Sequence, residues 1–130
     1  MTPELTYVAW TALMLVLLWI PYIAGTVSRN GLLTPAEYKT PLERDEPDWL
    51  RRCNRAHLNL VENFAPFAAL TIIAHITDQV TATTATAAAV FFWARLAHAV
   101  AYIMGIPFLR TILFSTGVVS TLIIGFEVIT

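Results

Sequence analysis

Charge is what this chain has least of. Only 13% of its 130 residues are Asp, Glu, Lys or Arg, about half of the roughly 25% usual in soluble domains. A soluble domain this small has much surface for its volume and must cover it with polar groups. Eight basic and nine acidic residues do not stretch that far. Cysteine is nearly missing as well: Cys53 stands alone, so no internal disulfide is possible. No Cys/His cluster has ligand spacing either, so no metal site is expected. The formal net charge of −1 does not imply a nucleic-acid partner. No basic stretch precedes the first apolar run, and that run is too long for the core of a signal peptide. A retained helix is expected there.

What is present is apolar: 57% of the residues are hydrophobic and the mean hydropathy is +0.64. Four runs approach the roughly 20 residues needed to cross a bilayer as helix. They cover about 5–27, 52–76, 80–104 and 110–128. Thr77-Asp78-Gln79 links the second to the third, and Gly105-Ile106-Pro107 links the third to the fourth, where Pro107 cannot continue a helix. The long connection, 28–51, is polar, contains Pro35, Pro41 and Pro47, and reads as an extended loop. Lipid cannot satisfy backbone hydrogen bonds, and the alternation of a membrane barrel is absent. The expected fold is therefore an all-α integral membrane protein, one four-helix transmembrane bundle over residues 1–130.

All eight basic residues fall at one end of this bundle: Arg29, Lys39, Arg44, Arg51, Arg52 and Arg55 around the loop, with Arg95 and Arg110 near the link between the third and fourth spans. The positive-inside rule puts that end in the cytoplasm and both termini on the other side. In the second span, Arg52, Arg55, Asn59 and Glu62 follow at helical spacing on one face, and Arg95, His98 and Tyr102 do the same in the third. Arg110 and Thr111 open the fourth at the same depth. The other halves of the helices read as nearly inert. Ionisable groups inside a span are costly and mark function. The plain alternative is packing, with Arg95 neutralised by Glu62. Yet four arginines face one glutamate within the spans. An anionic lipid headgroup or ligand would balance them, and the loop acids Glu43, Asp45, Glu46 and Asp48 are the competing explanation.

Pro66 frees the carbonyl of Glu62 from its helical bond, as an ordinary membrane-helix kink does. Gly117, Thr121 and Gly125 form a small-residue face on the fourth span suited to close packing. Trp10, Trp19, Trp49 and Trp93 are expected at interfaces or in packing, His75 and His57 at interfaces.

The run Arg52-Cys53-Asn54-Arg55-Ala56-His57-Leu58-Asn59-Leu60-Val61-Glu62-Asn63, followed by Pro66-Phe67, strongly resembles the second-helix signature of the MAPEG family, the membrane-associated proteins in eicosanoid and glutathione metabolism. Ala94-Arg95-Leu96-Ala97-His98-Ala99-Val100-Ala101-Tyr102, with Arg110 two turns on, resembles its third-helix signature. Among members, microsomal glutathione transferases and prokaryotic proteins look most alike. The resemblance implies a homotrimer in a bacterial inner membrane, with glutathione as cosubstrate held between subunits near the cytoplasm. It implies that Arg52, Arg55, Asn59 and Glu62 of one subunit, with Arg95, His98, Tyr102 and Arg110 of the next, hold the peptide, and that Arg29 adds a further cation. Departures are Leu60, where the family often has Asp; Leu58, where eicosanoid-forming members often have Arg; a Tyr102-to-Arg110 interval one residue short; and Thr111 in place of a serine.

The implied chemistry is glutathione transfer to a hydrophobic small-molecule electrophile, with peroxidase activity as a variant. Arg110 would stabilise the thiolate and Thr111 would donate a hydrogen bond to sulfur. A non-catalytic glutathione- or lipid-binding scaffold of the same fold is the alternative. Solute transport is disfavoured, because the polar stripe occupies one half of the bilayer only.

Overall fold

The computed structural model describes residues 1–41 and 44–130, so the loop acid Glu43 lies outside the described residues. Among them are five helices and no strand: α1 Pro3–Asn30, α2 Pro35–Lys39, α3 Asp48–Ile76, α4 Ala82–Met104 and α5 Pro107–Ile129. The four long ones are long and apolar enough to cross a membrane. They are placed as expected, with ends shifted by a few residues. α5 starts at Pro107 rather than near 110, because a proline at the first helical position loses no hydrogen bond and is already set to helical φ. α3 starts at Asp48 and has 29 residues, about 43 Å at 1.5 Å per residue. A hydrocarbon core is about 30 Å thick, so part of this helix overhangs, and its polar first turns can lie outside the hydrocarbon.

The long connection is not wholly extended. Thr34 precedes Pro35, and Glu37 stands three residues after it, the pattern that starts a helix. The Thr34 N–H donates to Glu37 Oε2 at 2.7 Å, and Arg44 Nε donates to Glu37 Oε1 at 3.1 Å. The Thr34 N–H first, then the Arg44 guanidinium, hold the Glu37 carboxyl down from its ordinary 4.5 to about 2. The Tyr22 hydroxyl, on α1, donates to Glu46 Oε1 at 2.9 Å and ties the loop to the bundle.

α1 and α5 stand at opposite corners of the bundle without touching, while α3 and α4 meet across the diagonal and α4 pairs most extensively with α5. α4 is alanine-rich, and Ala87, Ala88, Ala94, Ala99 and Ala101 let its neighbours approach closely. The core is Phe67, Ala87, Ala88, Phe91 and Ile124, with the Phe67 and Phe91 rings stacked 3.8 Å apart. α1 buries only Glu4 and Thr11, and its outward Leu13, Val16, Leu17 and Ile20 are exposed.

α4 carries no acid in its first turn and no base in its last. Its neighbours supply both, which favours the helix dipole. At its start, the Thr84 hydroxyl donates to buried Glu4 Oε1 at 3.1 Å, and the Thr81 hydroxyl donates to Glu127 Oε2 at 3.0 Å. At its end, Arg52 Nε donates to the Ile103 carbonyl at 2.9 Å. This corrects the expectation that the halves away from the loop are nearly inert: Glu4, only 2% exposed, is a buried carboxylate there. Nothing in the sequence around Glu4 marks it, because its partners lie 80 residues away.

Gly117 lets α5 close onto α4. A Cβ there would lie 2.6 Å from Arg95 Nε, far inside contact distance. Gly117→Val is therefore expected to destabilise the bundle by about 1–3 kcal/mol, read as a lower thermal midpoint in detergent; an unchanged midpoint would contradict this packing. The loop predicts a pH effect of definite sign. A depressed carboxyl stabilises its folded surroundings above its ordinary value and loses that contribution as pH falls through its folded value. The α2 turn should thus hold at pH 4.5 and open as pH approaches 2. Carbon NMR of Glu37 in micelles should titrate near the lower value, with the Thr34 amide moving alongside; a midpoint at the ordinary value would refute the capping bond.

Candidate functional site

Of the polar residues expected to converge, Arg52, Arg55, Asn59, Arg95, His98, Tyr102 and Arg110 do so, at the loop end of α3, α4 and α5, while Glu62 and Thr111 do not. Arg55 Nε donates to the Tyr102 hydroxyl at 3.2 Å, and the Arg110 guanidinium lies 4.9 Å from the Tyr102 ring centre, in cation–π contact. Tyr102 thus bridges the arginines of α3 and α5, and its own hydroxyl proton is left to donate. Arg52 lies against the end of α4, where Gly105 turns the chain at φ 75°. A Cβ on Gly105 would stand 3.5 Å from Arg52 Nε. These contacts between the α3 set and the α4–α5 set form within a single chain, although the two sets were expected from adjacent subunits.

Beneath this surface lies Arg95, 1% exposed. Its Nη1 donates to Asn59 Oδ1 at 3.1 Å and its Nη2 to Asn63 Oδ1 at 2.8 Å. Its guanidinium carbon lies 4.9 Å from the Phe114 ring centre and 5.4 Å from that of Phe91. Its Nε is buried without a partner. His98 is buried too, with its ring beside those of Tyr102 and Phe114. Both were expected to hold the ligand directly. Within this single chain both lie buried and present almost no surface. The alternative in which Glu62 neutralises Arg95 is not what the structure shows. Glu62 is exposed, and two asparagine oxygens take its place.

Asn63 belongs to the second-helix motif, but the resemblance assigns it no role. Its spacing of four from Asn59 was the available signal, since it puts both amides on one helical face. Phe91 and Phe114 gave no such signal, because aromatic residues on an apolar helix read as packing. Arg29 closes α1 on an exposed turn and makes no contact with the cluster among the described residues. Thr111 is exposed and lines a groove of about 850 Å³ between α4 and α5, together with Ser115, Thr116, Val119 and Thr86. Arg110 and Thr111, expected to act as a pair, thus serve different surroundings.

Among the described residues, the loop acids form no ion pair with the arginines of this layer. The ion pairs among the described residues are Arg44 with Glu37 and, at 3.6 Å on the surface, Arg51 with Asp48. Glu46 is engaged by Tyr22. Arg52, Arg55, Arg95 and Arg110 make none among the described residues. Guanidinium groups bonded to carbonyls, amides and rings, and among the described residues to no carboxylate, have donors suited to an anion.

No curated protein matches the chain. The MAPEG family model matches residues 6–130, nearly the full length and all four long helices. That family includes glutathione transferases and related enzymes, and not all of its members are enzymes. With the layout of the helices and the place of the polar layer, this match settles the affiliation: the chain is an integral, multi-pass membrane protein that belongs to the MAPEG family.

Proposed function

We propose that the protein is a membrane-bound glutathione transferase-like enzyme that activates the glutathione thiol for attack on hydrophobic electrophiles. The observation that carries this reading is the set of arginines that have no acidic partner among the described residues. Glutathione has two carboxylates, one ammonium and a thiol. Arg52 and Arg55 spend their Nε atoms within the chain and keep their Nη donors for the carboxylates. Glu62 is the acid that complements the ammonium. Arg110 stands where a sulfur anion gains from a cation. An ordinary cysteine thiol titrates near about 8.5. Lowering it by about one unit takes roughly 1.4 kcal/mol, within the about 1.5–3 kcal/mol of a hydrogen bond to a charged group.

The apolar cosubstrate would enter from lipid, and the groove between α4 and α5 offers it a bed with Thr111 at its loop end. A thiolate at this place also reduces hydroperoxides, so peroxidase activity belongs to the same reading. The assembly is a homotrimer on this reading. Glu62 and the apolar flank of α3 beside it, Leu58 and Val61, are exposed. A carboxylate facing lipid is costly, and a neighbouring copy removes it from lipid. Loop 28–51 would face the cytoplasm of a bacterial inner membrane, with both termini opposite. One observation favours a second reading: Thr111 is directed to the groove and not to the contacts of Arg110. A glutathione- or lipid-binding scaffold without turnover needs the arginine layer but not that hydroxyl.

Purified protein with glutathione and an aryl halide should form conjugate saturably in both substrates. Arg110→Ala should lower kcat/KM at neutral pH by about tenfold or more, the rate equivalent of one unit of thiol pKa, and the loss should shrink as pH rises. An unchanged rate would remove Arg110 from the chemistry. Saturable glutathione binding without turnover would select the scaffold reading. For topology, an impermeant maleimide should label Lys39→Cys only from the cytoplasmic side and Asp78→Cys only from the other. The reverse pattern would invert the orientation.

A further inference from the structure

Arg95 is the one arginine of the layer that no ligand can reach in this chain, and its placement constrains a side chain that a ligand can reach, Asn59. A guanidinium has five N–H donors and no acceptor. Any amide facing it must therefore present oxygen, and its nitrogen is forced to the other side. Two amides face Arg95, those of Asn59 at 3.1 Å and Asn63 at 2.8 Å. Phe114 at 4.9 Å and Gly117 against Nε prevent the guanidinium from swinging away. The two asparagines then differ. One of the two Asn63 Nδ2 protons is taken by the Asn59 carbonyl, at 2.7 Å, which turns that amide back along α3. The Asn59 nitrogen makes no hydrogen bond among the described residues, and Asn59 is half-buried rather than enclosed. It lies on the helix face of Arg52, Arg55 and Glu62.

We propose that Arg95 is a positioning residue: it turns the Asn59 amide so that Nδ2 becomes a fixed donor to an acceptor oxygen, a carboxylate or a peptide carbonyl, on the bound peptide. Arg95 itself touches no ligand. The inference rests on the glutathione reading and deepens it, since it explains why an apolar-surrounded arginine is satisfied by two amides and not by an acid. A carboxylate at residue 59 would satisfy Arg95 better, but it would present oxygen to the ligand's oxygen.

That contrast supplies the test. Asn59→Asp and Asn63→Asp each give Arg95 a carboxylate and each add one negative charge to the same pocket. Only the first removes the ligand-facing donor. Glutathione affinity measured by calorimetry should fall at least about tenfold in N59D, the scale of one lost hydrogen bond to a charged group. It should stay within about twofold of wild type in N63D, the remaining allowance being for the added charge. Neither variant should lower the thermal midpoint. Arg95→Met fills the same space without donors. It should raise the glutathione KM with little change in kcat, and in the double variant R95M/N59L the loss should not exceed that of N59L alone, because Arg95 acts through Asn59. Additive losses would mean a structural role and overturn the proposal. If R95M does not fold, the N59D and N63D pair decides by itself. N59D binding as wild type does, or N63D losing as much as N59D, overturns this inference while leaving the glutathione reading intact. No saturable binding by the wild type overturns both.

Discussion

A guanidinium closed inside a membrane bundle with no carboxylate beside it is the constraint from which much of this structure follows. Stripping water from a charge costs several kcal/mol even after the protein relaxes. Arg95 recovers this from two amide oxygens and from aromatic faces. Each of those partners dictates something else. The amides tie α4 to α3 and fix the side chains of Asn59 and Asn63. Phe114 and Gly117 fix how α5 lies on α4, since even a methyl at Gly117 would strike the guanidinium. Arg95 is thus a three-helix junction, and the site above it inherits its rigidity.

The second organising fact is that α4 has no charges of its own at either end. Its start is completed by Glu4 of α1 and Glu127 of α5 through threonine hydroxyls, and its end by Arg52 of α3. Each helix that packs on α4 therefore contributes one charge to its dipole, acid at one end and base at the other. In a bundle whose apolar surfaces gain little from leaving lipid, such polar ties and close small-residue contacts specify which helices pair. The same asymmetry leaves the loop end cationic.

Most of the fold was legible because lipid leaves few choices. Four apolar runs and the tight turns at Asp78 and Gly105 gave the helices, and helical spacing gave the faces of Arg52, Arg55, Asn59 and of Arg95, His98, Tyr102. What could not be read was depth within a face. Arg95 and Tyr102 share a stripe, yet one is buried and the other half-exposed, because burial depends on where α5 sits. Glu62 illustrates the same limit: charge arithmetic paired it with Arg95, whereas helix rotation turns it outward and lets Asn63 substitute. The α2 turn was legible in principle, since Thr34, Pro35 and Glu37 spell a helix start, but the prolines around it outweighed that signal. Glu4 was not legible, because only the tertiary approach of Thr84 explains it.

The position of Arg110 gains meaning from the way α5 begins. Pro107 opens the helix, so Arg110 stands in its first turn, where free backbone N–H groups and the positive end of the dipole favour an anion. α4 ends at the same level, and the partial negative charge of its last carbonyls would repel that anion. Arg52 covers one of those carbonyls, at Ile103, and Tyr102 stands between Arg55 and Arg110. Arg52 thus masks the unfavourable end of α4, and on the proposed reading the remaining N–H groups of the α3 arginines engage the ligand. An anion placed between α3 and the start of α5 meets a masked carbonyl end on one side and an open N–H end with a guanidinium on the other. That polarity runs from Arg52 toward Arg110, and on the proposed glutathione reading it would orient the peptide with its thiolate at the α5 end.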